Sequence, residues 1–101
     1  MAGAAPSRVG DGRLAVPLDE QDDDTLLIAA RRDPEAFGRV FDRHHEQLLH
    51  WFLVRTFSAD TASELVAETF AVALEKLDRF DPARGHAGPW LQGIARMLFL
   101  S

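Results

Sequence analysis

Apolar positions recur every three or four residues through most of this chain, and no stretch alternates with the two-residue period of a strand. Phe37, Val40, Phe41, Leu48, Trp51 and Phe52 make one such series. Asp33 can cap the helix they imply, and Pro34 at its first position gives up no hydrogen bond. The spacing therefore predicts a helix from Pro34 to about Arg55. Val66, Phe70, Ala73, Leu74 and Leu77 make a second series and predict a helix ending near Leu77. Phe57–Asp60 reads as the connector before it, and Thr61 with Glu64 as a capping box at its start. Trp90, Leu91, Ile94, Ala95 and Leu98 form a third series, restarted by Pro89 after a turn from Asp78 to Gly88 that holds Pro82, Gly85 and Gly88 as breakers. Ahead of all three, Asp22–Asp24 offer caps for a short helix through Leu26–Ala30.

These elements predict an all-α fold, a small bundle of three to four helices. Residues 1–21 are rich in Gly, Ala, Pro and Asp without a period, so they are expected to form a disordered acidic tail, with the helical domain over 22–101. Phe37, Phe41, Phe52, Phe70, Leu74, Leu77, Trp90 and Ile94 are expected to share one core. A chain of 101 residues with 47% hydrophobic positions supports one small domain.

Composition narrows the chemistry. There is no Cys, hence no disulfide framework and no thiolate metal site. No apolar run approaches the roughly 20 residues that span a bilayer. Met1–Gly12 lacks the apolar centre of a secretory signal. A cytoplasmic location without membrane attachment is the expectation. The net charge is −5, and its distribution is uneven: −4 over residues 1–24, −3 over 25–78, and +2 over 79–101, where Arg79, Arg84 and Arg96 face only Asp81. Duplex binders draw most of their affinity from phosphate neutralisation. Contact with nucleic acid, if made, is expected through the C-terminal third and while a protein partner holds the chain.

Three motifs, in order, carry a resemblance. Ala36-Phe37-Gly-Arg-Val-Phe41-Asp-Arg-His-His45 with Leu48-Leu49 comes first. Glu64-Leu-Val-Ala67-Glu-Thr-Phe70 follows, and then Arg79-Phe80-Asp81-Pro-Ala-Arg84-Gly85 with Trp90-Leu91 and Ile94-Ala95-Arg96-Met97. Together they resemble the second conserved region of bacterial RNA polymerase sigma factors, the extracytoplasmic-function group in particular. The resemblance covers roughly residues 22–101. It implies a protein of transcription initiation that binds the clamp helices of core RNA polymerase through Glu64, Leu65, Ala67 and Glu68. It implies further that Arg79, Arg84, Gly85, His86, Trp90 and Arg96 help recognise and melt the minus-ten promoter element by handling the single-stranded non-template strand, only within the complex. An anti-sigma factor is an additional implied partner, and no cofactor is implied. The family pattern differs at four places: Glu64 stands for an Asp, Ala67 for a Gln, Ala87 for an aromatic two residues after the Gly, and Met97 for an Asn. The family also continues with a basic helix end and a region-four domain, so the resemblance implies a truncated form.

Two other readings compete. One is a protein-interaction remnant that binds polymerase or an anti-sigma factor with no DNA role, which the acidic balance favours. The other is an enzyme or metal protein built on His44, His45, Glu46 and His50. Glu46 and His50 are one helical turn apart, but no second carboxylate–histidine pair accompanies them, so no catalytic residue and no metal ligand is assigned.

Overall fold

The computed structural model describes residues 16–101, and four α-helices with two 3-10 turns account for most of that span. Helix α1 runs Asp23–Ala29, α2 Pro34–Thr56, α3 Ala59–Glu75 and α4 Ala87–Leu100. The 3-10 turns are Leu18–Glu20 and Leu77–Arg79. No strand occurs among the described residues. The fold is all-α, as the periodicity predicts.

The first two starts follow the sequence rules. Asp22 accepts the Thr25 N–H at 2.8 Å to open α1, and Asp33 accepts the Glu35 N–H at 3.0 Å with Pro34 in the first turn of α2. The third start does not. Ser58, rather than the Thr61–Glu64 box, caps α3, its hydroxyl accepting the Thr61 N–H at 3.2 Å. The capping box needs the helix to begin at Thr61, and the chain turns two residues earlier. Phe57 adopts the left-handed conformation, φ 55° and ψ 28°, so α2 ends and α3 begins across only Phe57 and Ser58. Helix α4 likewise begins at Ala87, before the expected restart at Pro89, and takes in Gly88.

The core joins all four helices. Leu26 and Leu27 of α1, Ala36, Val40, Leu48 and Phe52 of α2, Ala62, Val66, Phe70 and Ala73 of α3, and Leu91, Ile94 and Ala95 of α4 are buried, with Leu77 and Phe80 closing the end of α3. Two expected core positions belong elsewhere. Leu74 is 54% exposed, because the buried stripe of α3 runs Ala62, Val66, Thr69, Phe70 and Ala73, and the next position falls a further 100° around the helix. Phe41 is 37% exposed, its ring lying on Phe70 at 4.8 Å and stacked with His45 at 4.8 Å. Phe37 and Trp90 pack against the core while remaining partly exposed.

Residues 1–15 of the expected tail lie outside the described residues. Val16–Gln21, also assigned to that tail by composition, are folded against α2. Arg43 donates to the carbonyl oxygens of Leu18, Asp19 and Gln21 and to Asp23. Arg39 Nε lies 2.7 Å from Asp19 Oδ1, an ion pair by distance without the alignment of a hydrogen bond. The binding partners of this segment are two arginines on α2, which no local pattern within residues 1–21 reveals.

Candidate nucleic-acid and partner interface

The connection from α3 to α4 is the structure's most elaborate segment. Lys76 ends α3, Leu77–Arg79 tighten into a 3-10 turn, and Phe80 leaves it in extended backbone. Asp81 then folds the next residues on themselves: its side chain accepts the Ala83 N–H at 2.9 Å and its carbonyl the Arg84 N–H at 2.9 Å. Two side chains of the α1 region hold this connection from outside. Arg31 donates to the Leu77 carbonyl at 3.1 Å and to the Phe80 carbonyl at 2.6 Å. Asp24 accepts the Ala87 N–H at 2.7 Å and meets His86 Nδ1 at 2.7 Å.

The result is an open hollow of about 430 Å³ lined by Arg79, Phe80, Asp81, Arg84, Gly85, His86, Pro89 and Trp90. The Phe80 and Trp90 rings lie 5.3 Å apart with a 58° tilt. Phe80 is buried and backs Trp90, whose ring is partly exposed. A second hollow of about 480 Å³, lined by Lys76, Arg79, Pro89, Trp90, Gly93, Ile94 and Met97, shares Arg79, Pro89 and Trp90 with the first. Arg79 and Trp90 thus stand between two adjoining depressions rimmed by Lys76 and Arg84. An aromatic ring beside unpaired cationic groups can stack an unpaired base while the cations neutralise the neighbouring phosphates. A loop-walled hollow suits a base turned out of its stack. Among the described residues, Arg79 and Arg84 make no ion pair.

Of the residues that the sequence singles out for nucleic acid, Arg79, Arg84, Gly85, His86 and Trp90 come together here. Arg96 does not: it is exposed on α4 and lines neither hollow. Sequence reasoning missed Lys76 and Met97 on the walls, and Arg31 and Asp24 behind them. Lys76 was legible as a neighbour of the motifs, and Met97 as the last residue of one. Arg31 and Asp24 lie 46 to 63 positions from what they bind, so no spacing rule could reach them.

The second predicted surface is one face of α3. Glu64, Ala67 and Glu68 are exposed, and Ala71 and Leu74 continue the same face. Glu64 and Glu68 sit one turn apart and have no ion-pair partner among the described residues. Leu65, expected on this face, turns partly toward the core instead. The face combines two carboxylates with small residues and one exposed leucine, a surface whose charge suits a basic partner.

The histidines do not assemble a metal site. His44 Nε2 lies 2.8 Å from Asp23, and His45 bonds the Phe41 carbonyl and stacks on its ring. Among the described residues no three His, Asp or Glu side chains converge on a point that could hold an ion. No helix among them is long and apolar enough to cross a membrane.

The order of these parts, α3 face, clamped connection and amphipathic α4, coincides with a family match. The Sigma-70 region 2 family model matches residues 40–101. The chain belongs to that family. Region 2 therefore takes in most of α2, all of α3, the clamped connection and α4, while α1 and the segment Val16–Gln21 precede the matched span. The ECF RNA polymerase sigma factor BldN of Streptomyces coelicolor is 33% identical to this chain over 66 residues. That similarity covers 65% of this chain and 25% of BldN, so it reaches about a quarter of that relative's length. No solved structure matches the chain.

Proposed function

We propose that this chain acts in transcription initiation as the region 2 part of an extracytoplasmic-function sigma factor. It docks on the clamp helices of core RNA polymerase through the Glu64–Glu68 face of α3. It holds the opened non-template strand of the minus-ten element in the hollows around Trp90. The observation that carries this reading is the grouping of Arg79, Arg84 and Trp90 around one open hollow, within the span that the region 2 family model matches.

The division of labour follows from charge. With a net charge of −5 the free chain repels duplex DNA. Polymerase supplies the missing positive field and presents the strand already separated. Arg79 and Arg84 then neutralise phosphates locally, and Trp90 offers a stacking face. The acidic α3 face orients docking and speeds it. The role is one of binding without turnover, it requires no cofactor, and it places the chain in the cytoplasm with polymerase. An anti-sigma factor that controls the chain would compete for the same α3 face.

The experiment measures two things on one complex: capture of core polymerase, and binding of a fork DNA bearing a single-stranded non-template overhang. Glu64→Lys with Glu68→Lys weakens capture and flattens its salt dependence. Arg79→Ala with Arg84→Ala leaves capture intact and weakens the fork. If the wild type captures polymerase but the fork ignores the arginine pair, the chain is a protein-interaction module without a DNA role. If the glutamate reversal leaves capture unchanged, the docking assignment is wrong.

A further inference from the structure

Asp24 performs two tasks with one carboxylate. The Ala87 N–H is among the donors at a helix start that have no partner inside the helix. His86, at the cap position of α4, supplies no side-chain cap of its own. Oδ1 of Asp24 reaches in from α1 and accepts that N–H at 2.7 Å, while Oδ2 lies 2.7 Å from His86 Nδ1. The Asp24 side chain is only 22% exposed, whereas that of His86 is 81% exposed on the wall of the strand hollow. The imidazole is therefore anchored by one nitrogen, and its Nε2 makes no hydrogen bond among the described residues.

We propose that Asp24 is a positioning residue for the strand site: it holds the charged form of His86 at the rim of the hollow, where the free Nε2–H donates to a backbone phosphate of the captured strand. The inference rests on the strand reading above and adds to it a contact that depends on protonation. The bond to Asp24, followed by that carboxylate's charge, raises the His86 pKa above its ordinary value. Burial opposes this slightly and Asp22 adds to it. The other charged groups around the hollow are Arg79 and Arg84, which disfavour the imidazolium, and Asp81, which favours it. His44, whose ring approaches Gly88 from α2, is already engaged by Asp23. A raised pKa keeps the charged form populated to higher pH than in an ordinary histidine, and that form is lost as pH climbs through the folded value. A bound phosphate pushes in the same direction.

Asp24→Asn separates the two tasks, since its side-chain carbonyl can still accept the Ala87 N–H but carries no charge. His86→Gln, at an exposed position, removes the imidazole without disturbing the core. The His86 titration is followed by nuclear magnetic resonance on the free chain, and fork binding by the polymerase complex is followed from pH 6 to 8. In the wild type, fork binding weakens over this range by about fivefold more than in His86→Gln, the size of one exposed charged contact. In Asp24→Asn, the His86 titration moves down toward its ordinary value, the thermal midpoint stays close to wild type, and the excess pH dependence disappears. An unmoved His86 titration in Asp24→Asn overturns the proposal. So does fork binding whose pH dependence is the same in wild type and His86→Gln, and that result leaves the strand reading standing. A wild-type complex that ignores the fork at every pH overturns both, and the His86 titration then describes only the fold.

Discussion

The two connections flanking α3 solve the same problem in opposite ways. Between α2 and α3 the chain reverses over Phe57 and Ser58 alone. Everything it needs is local: the left-handed residue, the Phe57 N–H on the Leu53 carbonyl and the Ser58 cap. Between α3 and α4 it takes the residues from Lys76 to His86, and its geometry is imposed by Asp24 of α1 and by Arg31 in the turn after it. The short connection leaves a bare phenylalanine, 90% exposed, in a conformation that favours glycine. The long one builds a hollow with two arginines and a tryptophan on its wall. A connection closed by its own residues can only turn the chain. One closed by remote side chains can hold an irregular backbone open, and that is what a binding hollow requires.

Removing the long connection's anchor breaks the contrast most severely. Phe80 is 2% exposed and backs the Trp90 ring. Phe80→Ala should cost about 3–5 kcal/mol of unfolding free energy. Denaturant unfolding followed by circular dichroism checks the value. A loss confined to a few tenths of a kcal/mol would mean that the connection stands without its aromatic anchor.

Arg31 comes next. Its side chain bonds both carbonyls that frame the 3-10 turn, and its neighbour Asp78 lies 3.9 Å away. The side chain is 34% exposed, so solvent discounts its bonds. Arg31→Ala should cost about 1–2 kcal/mol, and amide exchange should speed up at Phe80 and Arg84 while the amides within α2 keep their protection. Uniform acceleration through all four helices would show that Arg31 serves the whole fold instead of this connection.

The fold was legible because its signals are local. Asp22, Asp33 and Pro34 mark helix starts, and the three- and four-residue periods mark the stripes that become the core. The misreadings have local causes too. Leu74 reads as core because it falls at helical spacing from Phe70 and Leu77, yet one position past Ala73 is enough to face solvent. The Thr61–Glu64 box satisfies its pattern, but Ser58 intercepts the Thr61 N–H first. The candidate site was half legible. The wall residues of the first hollow lie within twelve positions of one another and carry a recognisable order. What holds the wall in shape comes from α1 and the turn after it, whose sequence reads as nothing more than a capped acidic start.

The short connection gives an effect of opposite sign. A non-glycine residue in the left-handed region is strained, and Phe57 recovers little of that by burial. Phe57→Gly should raise stability by about 0.5–1 kcal/mol, relief of strain being partly offset by the freer unfolded chain. A thermal melt measures it. A lower midpoint would show that the exposed ring makes contacts that hold α2 and α3 together.

The smallest effect separates the two connections by pH. Asp22 and Asp23 both titrate below the usual carboxylate range. For Asp22 the backbone N–H of Thr25 is the main cause. For Asp23 burial raises the value, and hydrogen bonds from Arg43 and His44 outweigh it. A lowered folded pKa contributes stability that is complete above the unfolded value, about pH 4, and is lost as pH falls below it through the lowered folded value. Both residues sit at the start of α1, the helix that clamps only the long connection. Acidification below about pH 4 should therefore loosen α1 first. Amide exchange at Ala87, whose N–H is held by Asp24, should speed up before exchange at Phe57, whose N–H is held by the Leu53 carbonyl within its own connection. Simultaneous loss of protection at the two amides would mean that α1 and the α2–α3 pair melt as a single unit, and the independence of the two connections would be gone.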